Sequence, residues 1–309
     1  MTATFARERI VAAFVVLASM GISWRMLFKR AQWRKKTLRL VEMLEENEGT
    51  SDEKTVSFAG FGGLPAPVAR YLRFALREGQ PFIHSVRITQ SGELRISPTH
   101  KQWRKFRAVQ FFSPNAPGFV WDAHVSMPLG IKIRVRDAYS GHGLGQVDVA
   151  SLVTVAQVED KTELSEAALM RYLAEAVWFP TALLPSSAGI VWSAIDEKRA
   201  LATLTAGATT VSLEFGFGGS GEVTSIYTPG RYREVQGGFE LTPWEGYHRD
   251  YQEINGMQIP TTGEVAWHLP EGKFTVWRGR NEYTQFDLGH KRKSPIKNHV
   301  THQKNSLPR

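Results

Sequence analysis

No cysteine occurs in the 309 residues, which removes disulfides, thiolate metal sites and thiol nucleophiles together and leaves the redox compartment open. Nine histidines are present, but none belongs to an HExxH helix, and no serine stands in a GxSxG elbow. Acidic residues are missing altogether from 289–309. Long apolar runs are scarce too: the run Ile10 to Trp24 has fifteen residues without a charge and rises about 22 Å as a helix, short of a hydrocarbon core of roughly 30 Å.

That run is nonetheless the strongest local signal. Arg9 precedes it, and Arg25, Lys29, Arg30, Arg34, Lys35, Lys36 and Arg39 follow it. If Arg25 snorkels to the interface, Met26, Leu27 and Phe28 lengthen the apolar stretch to about 28 Å, with Trp24 and Trp33 near interfacial depth. A cleaved signal peptide and an interfacial helix are the alternatives. The basic flank favours a retained, single-pass transmembrane helix, because cations resist translocation; the cell membrane is then the location, with the rest of the chain expected on the cytoplasmic side and the periplasmic or other extracytoplasmic side as the alternative.

The formal charge of +8 is misleading until it is divided along the chain. Residues 1–50 carry +4 and 289–309 carry +6, leaving −2 for 51–288. A nucleic-acid reader would place its basic footprint on the folded domain, so no nucleic-acid partner is expected. Basic flanks suit a membrane partner with anionic lipid. Within the domain, 81–137 carry +6 and 138–288 carry −9, a polarity that would turn the early strands towards such a surface.

Four segments follow from this pattern: a membrane anchor with its basic flank (1–32), a juxtamembrane helix and linker (33–57), one β-rich domain (58–288) and a basic, disordered tail (289–309). Pro65 and Pro67 open a short helix, Val68 to Leu76. From His84 onward the period becomes two, as in Ile131, Ile133 and Val135 alternating with Lys132, Arg134 and Arg136, and ten to twelve antiparallel strands are predicted between Gly/Pro/Asn turns. Thr162 is the expected cap of one long helix in mid-sequence, whose apolar stripe includes Leu169, Tyr172, Leu173 and Val177 and ends at Trp178-Phe179-Pro180. The fold class is therefore mainly β (α+β): a curved antiparallel sheet or half-barrel wrapped around that amphipathic helix.

Four stretches, PGFVWDA (117–123), LMRYLAEAVWFPTALLP (169–185), IPTTGEVAW (259–267) and WRGR (277–280), resemble a bacterial family of domains of unknown function over about residues 58–288. That resemblance implies no activity and no catalytic residue. The order of elements is also similar in shape to the half-barrels of lipoprotein carriers, where a bent sheet over helices holds acyl chains.

Candidate sites are few. Gly216 to Gly221 spells GxGxxG, but Glu222 to Tyr227 alternates as a strand where a phosphate-binding helix should begin, so it is a hairpin turn. Asp122 and His124 stand two apart on one face and are weak metal candidates without a third ligand. Glu175, four residues after Arg171, forms either an ordinary helical pair or the polar anchor of a ligand head. Trp178, Trp121, Trp244 and Trp267 could line an apolar pocket or simply pack the core. Arg278 and Arg280 suit an anionic head group or a solvated edge equally. No cofactor is expected. The leading expectation is a membrane-anchored protein that binds a lipid or other apolar small molecule between sheet and helix. An envelope scaffold with an unidentified protein partner, and a hydrolase-like enzyme using Glu175 or the Asp122/His124 pair, are the alternatives.

Overall fold

Strand order explains the shape. The computed structural model describes residues 2–47, 54–99, 102–149, 153–159, 161–187 and 189–289; within these, the side chains of 2–20, 22, 47, 147–149 and 153–159 are also outside the description. Helix α1 (Thr2–Asn47) comes first, then α2 (Ala66–Ala75). Six strands follow: β1 (Ser85–Leu94), β2 (Arg104–Ser113), β3 (Gly118–Ser126), β4 (Lys132–Ser140), β5 (Gly143–Val149) and β6 (Val153–Glu159). After α3 (Thr162–Glu175) come β7 (Ile190–Ala194), β8 (Arg199–Ala206), β9 (Thr209–Phe217), β10 (Val223–Val235), β11 (Gly238–Ile254), β12 (Met257–Leu269) and β13 (Gly272–Asp287).

All thirteen described strands form one sheet, in the order β6-β5-β4-β3-β2-β1-β13-β12-β11-β10-β9-β8-β7. Each neighbouring pair is antiparallel. Two meanders are thus joined back to back by β1 and β13, and the sheet's two edges, β6 and β7, are the strands that α3 connects. The helix lies in the hollow of the curled sheet, touching β3, β4 and β5 on one side and β9 and β10 on the other. Tyr172, Leu173 and Val177 are buried there against Phe112, Phe119 and other inward side chains.

Some local expectations change. Among the described residues there are thirteen strands rather than ten to twelve. Thr162 is the first helical residue and not the cap; Lys161 holds that position without a side-chain bond. Burial surrounds most of α3 instead of following one stripe, because Ser165, Ala167 to Met170 and Tyr172 to Ala174 are all covered. The GxGxxG letters do form the β9–β10 turn.

Register puts the β1–β2, β3–β4 and β12–β13 hairpin tips at one end, since Leu94 pairs with both Arg104 and Trp277 while Phe106 pairs with Val125. Exposed apolar side chains gather at these tips: Ile96 is 58% exposed, Ile131 42% and Leu129, at a positive φ of 59°, 97%. α2 closes the opposite end, with the Arg70 carbonyl against Gly221 and the Arg77 guanidinium against Gly256.

α1 packs on the convex face. Its Val41 and Leu44 form a second apolar cluster with Phe111, Val120, Ala138 and Leu144. Arg136, predicted to face solvent, is 0% exposed beneath it. The guanidinium lies 3.9 Å from the Trp33 ring and donates to the Trp33 carbonyl at 2.7 Å, to Thr37 Oγ1 at 2.7 Å and to Gln146 Oε1 at 3.0 Å. Asp122 completes the network by accepting from Trp33 Nε1 at 2.9 Å and Thr37 Oγ1 at 2.6 Å. Alternation located Arg136 on the outer face correctly; a helix from far away in sequence then covered it.

α1 also has a direction. Leu44 rests on Gly118 at the start of β3, Trp33 reaches Asp122 farther along, and Arg30 acts electrostatically on His124. Followed backwards, the helix runs beside β3 towards the hairpin-tip end. Among the described residues no helix is long and apolar enough to cross a membrane; most of Ile10 to Trp24 has side chains outside the description, as does the whole tail beyond 289.

Replacing Arg136 by Met should leave Thr37 and Gln146 without their charged partner and lower stability by about 2 kcal/mol. Limited trypsin digestion is the sharper measurement: cleavage within Lys29 to Arg39 should quicken several-fold, and unchanged cleavage would mean that this network does not hold α1 down.

Candidate apolar ligand site

The inner face of the sheet carries its bulkiest residues near α3, yet one region is hollow. A row of residues in direct register crosses five strands there: Phe106, Gly92, Gly279, Gly263 and His248. Three consecutive glycines across a sheet leave no Cβ to raise the surface, and the Trp277 indole sits against two of them, Gly279 and Gly263. A Cβ at Gly279 would sit 2.5 Å from that ring, and one at Gly92 would sit 2.2 Å from the Arg278 carbonyl. Phe106 stacks on Trp277 at 5.8 Å. Glycine at these positions is therefore required by close approach.

Above this floor lies a cavity of about 420 Å³. Its walls are mainly apolar, including Leu94, Ile96, Val125, Ile133, Val135, Val265 and Val276, with Trp121, Trp178, Trp244, Trp267 and Trp277. The residues from β1, β3, β4 and β13 bring it to the hairpin-tip end, where Ile96 is both lining and exposed. Trp121 is fixed by donating from Nε1 to Gln90 Oε1 at 2.9 Å, and Gln90 in turn donates to Asn281 Oδ1 at 3.0 Å.

Polar groups collect at the α3 side. Arg171 donates from Nε to Glu175 Oε1 at 2.9 Å and from Nη1 to Asp137 Oδ2 at 2.8 Å, while Gln110 donates to Glu175 Oε2 at 2.7 Å. Burial pushes the Glu175 carboxyl up despite Arg171, and Arg171 stays firmly cationic because two carboxylates outweigh its own burial. Arg231 donates from Nε and Nη2 to the Ala167 carbonyl at 3.2 and 3.0 Å, with its guanidinium 5.1 Å and 5.2 Å from the Trp244 and Trp267 rings. Burial, with Arg171 nearby, brings it down to about 10, so it remains charged at neutral pH. His248 is lowered to about 4 by burial, against a hydrogen bond to the Ala174 backbone.

The cavity thus brings together Glu175, Arg171, Trp178, Trp121, Trp244 and Trp267. It does not include the other two candidates. Arg278 lies on the outer face, bound to Glu93 Oε2 at 2.6 Å and 4.2 Å from the Trp103 ring, and Arg280 is exposed on the same face. Their period of two was legible, but the side it selected was not the hollow one. Asp122 and His124 also face outward, where Asp122 is occupied by α1 and His124 is exposed. No group of three potential metal ligands occurs among the described residues.

Arg231 and His248 were missed. His248 follows from alternation with Trp244 and Gly246 once β11 is known to be half-buried. Arg231 does not, because a bulge between Thr228 and Arg231 shifts the register and turns the arginine inward opposite Thr242. The Pro229-Gly230 pair within the strand was the available sign.

A curled antiparallel half-barrel, holding a helix and an apolar hollow, is the class of protein that this geometry defines. The chain belongs to a family of unknown function, DUF6544, whose model matches residues 54–279. Among solved structures it has a distant likeness to a LolA superfamily protein from Nitrosomonas europaea, at 10% identity over 76% of this chain and 97% of that one, with a TM-score of 0.36. A beta-barrel-like protein of a different domain family of unknown function, DUF1849, from Brucella abortus is similar at 9% identity over 67% of this chain and 99% of that one, with a TM-score of 0.23. No curated protein matches.

His248 gives this site a pH signature. An unfolded chain protonates it below about 6.5, whereas the folded one resists until about 4, so its contribution is complete above 6.5 and is lost as pH falls through that window. The loss should be about 3 kcal/mol, read as falling urea midpoints between pH 6.5 and 4. In His248→Asn this part of the pH dependence should vanish; an unchanged slope would assign it elsewhere.

Proposed function

We propose that the domain holds a lipid or another apolar small molecule in the hollow between sheet and α3, and that the N-terminal run anchors it to the membrane. The carrying observation is the cavity itself. About 420 Å³ bounded mainly by aliphatic and indole side chains falls within the roughly 300–1,000 Å³ of small-molecule sites, with Asp137, Arg171, Glu175 and Arg231 gathered at the α3 pole and Arg95 and Glu264 also among its lining residues. Such a container selects by shape and apolar contact, and needs no bond to be broken.

The anchor has separate support. α1 heads towards the hairpin-tip end, so an anchored run would bring that end to the bilayer, with Leu129, Ile131 and Ile96 leading and the basic residues of the early strands behind. The mouth of the cavity would then face the lipid phase from which a ligand is drawn.

Native mass spectrometry of the full chain after gentle detergent extraction should find a copurified lipid or apolar molecule at about one per chain. Ala174→Phe, which projects a ring from α3 into the cavity, should abolish that mass while leaving the far-ultraviolet circular dichroism unchanged. A wild-type chain free of ligand, and unable to take one up, would remove the carrier reading. Because the protein has no cysteine, a single Leu129→Cys labelled with an environment-sensitive fluorophore tests the orientation. In nanodiscs with anionic lipid its emission should shift blue and be quenched by spin-labelled lipid, whereas a label at Asn115, at the other end, should stay aqueous.

A further inference from the structure

The polar pole is not balanced in its hydrogen bonding. Arg171 serves both nearby carboxylates, Asp137 and Glu175. Arg231 makes no salt bridge among the described residues, and two of its N–H groups share one acceptor, the Ala167 carbonyl. Two indole faces offset part of the cost of a cation held out of water, but they supply no counter-charge. Three more polar atoms of the cavity's lining residues are buried without partners: Trp178 Nε1 and His248 Nδ1 at this pole, and Arg95 Nε, whose guanidinium lies 4.3 Å from the Trp103 ring. Trp178 Nε1 can only donate. Neutral His248, whose bond to the Ala174 backbone falls to Nε2 since Nδ1 has no partner, offers a lone pair at Nδ1.

Resting on the container reading above, we propose that the ligand is a single-chain amphiphile with an anionic oxygen head, a carboxylate or a phosphate monoester, which pairs with Arg231 and accepts from Trp178 Nε1. The chain lies along the Trp277 and Val265 side over the glycine row. A volume in the lower half of the usual range suits one acyl chain better than several. A hydroxyl beside the head group, or a protonated head oxygen, would satisfy His248 Nδ1. Glu175, facing Arg171, Gln110, Asp137, Arg231 and His248, is the acid placed to take up a proton when the anion arrives, which keeps the pole from gaining net negative charge.

The test uses quenching of the cavity tryptophans in the full chain, held in amphipol, by a dibrominated stearic acid, the matching lysophosphatidic acid and the matching neutral alcohol. The acid or the lysophosphatidate should bind about ten to a hundred times more tightly than the alcohol, as expected for a charge-assisted hydrogen bond in a buried site. Whichever of the two binds better identifies the head. Arg231→Met should abolish that preference while the alcohol still quenches, which also shows that the variant is folded, and Arg231→Lys should retain part of it. Equal affinity for acid and alcohol in the wild type, or a preference surviving in Arg231→Met, overturns the head-group assignment but leaves the container intact. Quenching by none of the three removes the container itself.

Discussion

The pairing of β1 with β13 governs this molecule. It joins residues 85–94 to 277–287, almost the full length of the domain, and so turns two local meanders into one sheet. Every other strand pair can form from neighbours in sequence; this one must close a loop of nearly two hundred residues, the kind of contact that makes β-rich folding slow. Its consequence is topological. Once the first and last strands are paired in the middle of the sheet, the edges are β6 and β7, and the segment between them has to lie across the opening. α3 is that segment, and its burial on most sides follows from its place between the two edges.

The hollow comes from the same seam. Gly92, Gly279 and Gly263 are brought side by side only by the β1–β13–β12 registers, and the missing Cβ atoms of Gly279 and Gly263 make room for the Trp277 indole. Against that thin floor, α3 presents Arg171, Ala174 and Glu175 and not another layer of large apolar groups. The result is a greasy chamber with a charged ceiling.

The convex face has a different logic. Arg136 is fully buried there, yet it is stacked on Trp33 and bonded to Trp33, Thr37 and Gln146, so that the desolvation of one cation is offset by several charge-assisted contacts. This ties the direction of α1 to the direction of the strands. Within the basic flank that follows the N-terminal apolar run, Trp33 and Thr37 thus fasten the helix to the domain.

Period-two alternation, turn chemistry and the single mid-sequence helix were enough to specify a curled antiparallel sheet around α3, because those signals are local. Helical spacing also paired Arg171 with Glu175, and Trp121, Trp244 and Trp267, which the sequence left between pocket and core, line the cavity. What could not be read locally was which of two faces was hollow, covered or open. Arg278 and Arg280 alternate as well as any cavity residue but point outward, Arg136 alternates outward and is nevertheless sealed by α1, and a bulge at Pro229-Gly230 reverses the side on which Arg231 emerges. Composition and spacing alone thus determined the strands, the helix and the charge distribution, since these depend on neighbours a few residues away. The β1–β13 seam, the glycine floor and the Arg231 pole were decided by tertiary structure, since each depends on register between segments that only the folded sheet brings together.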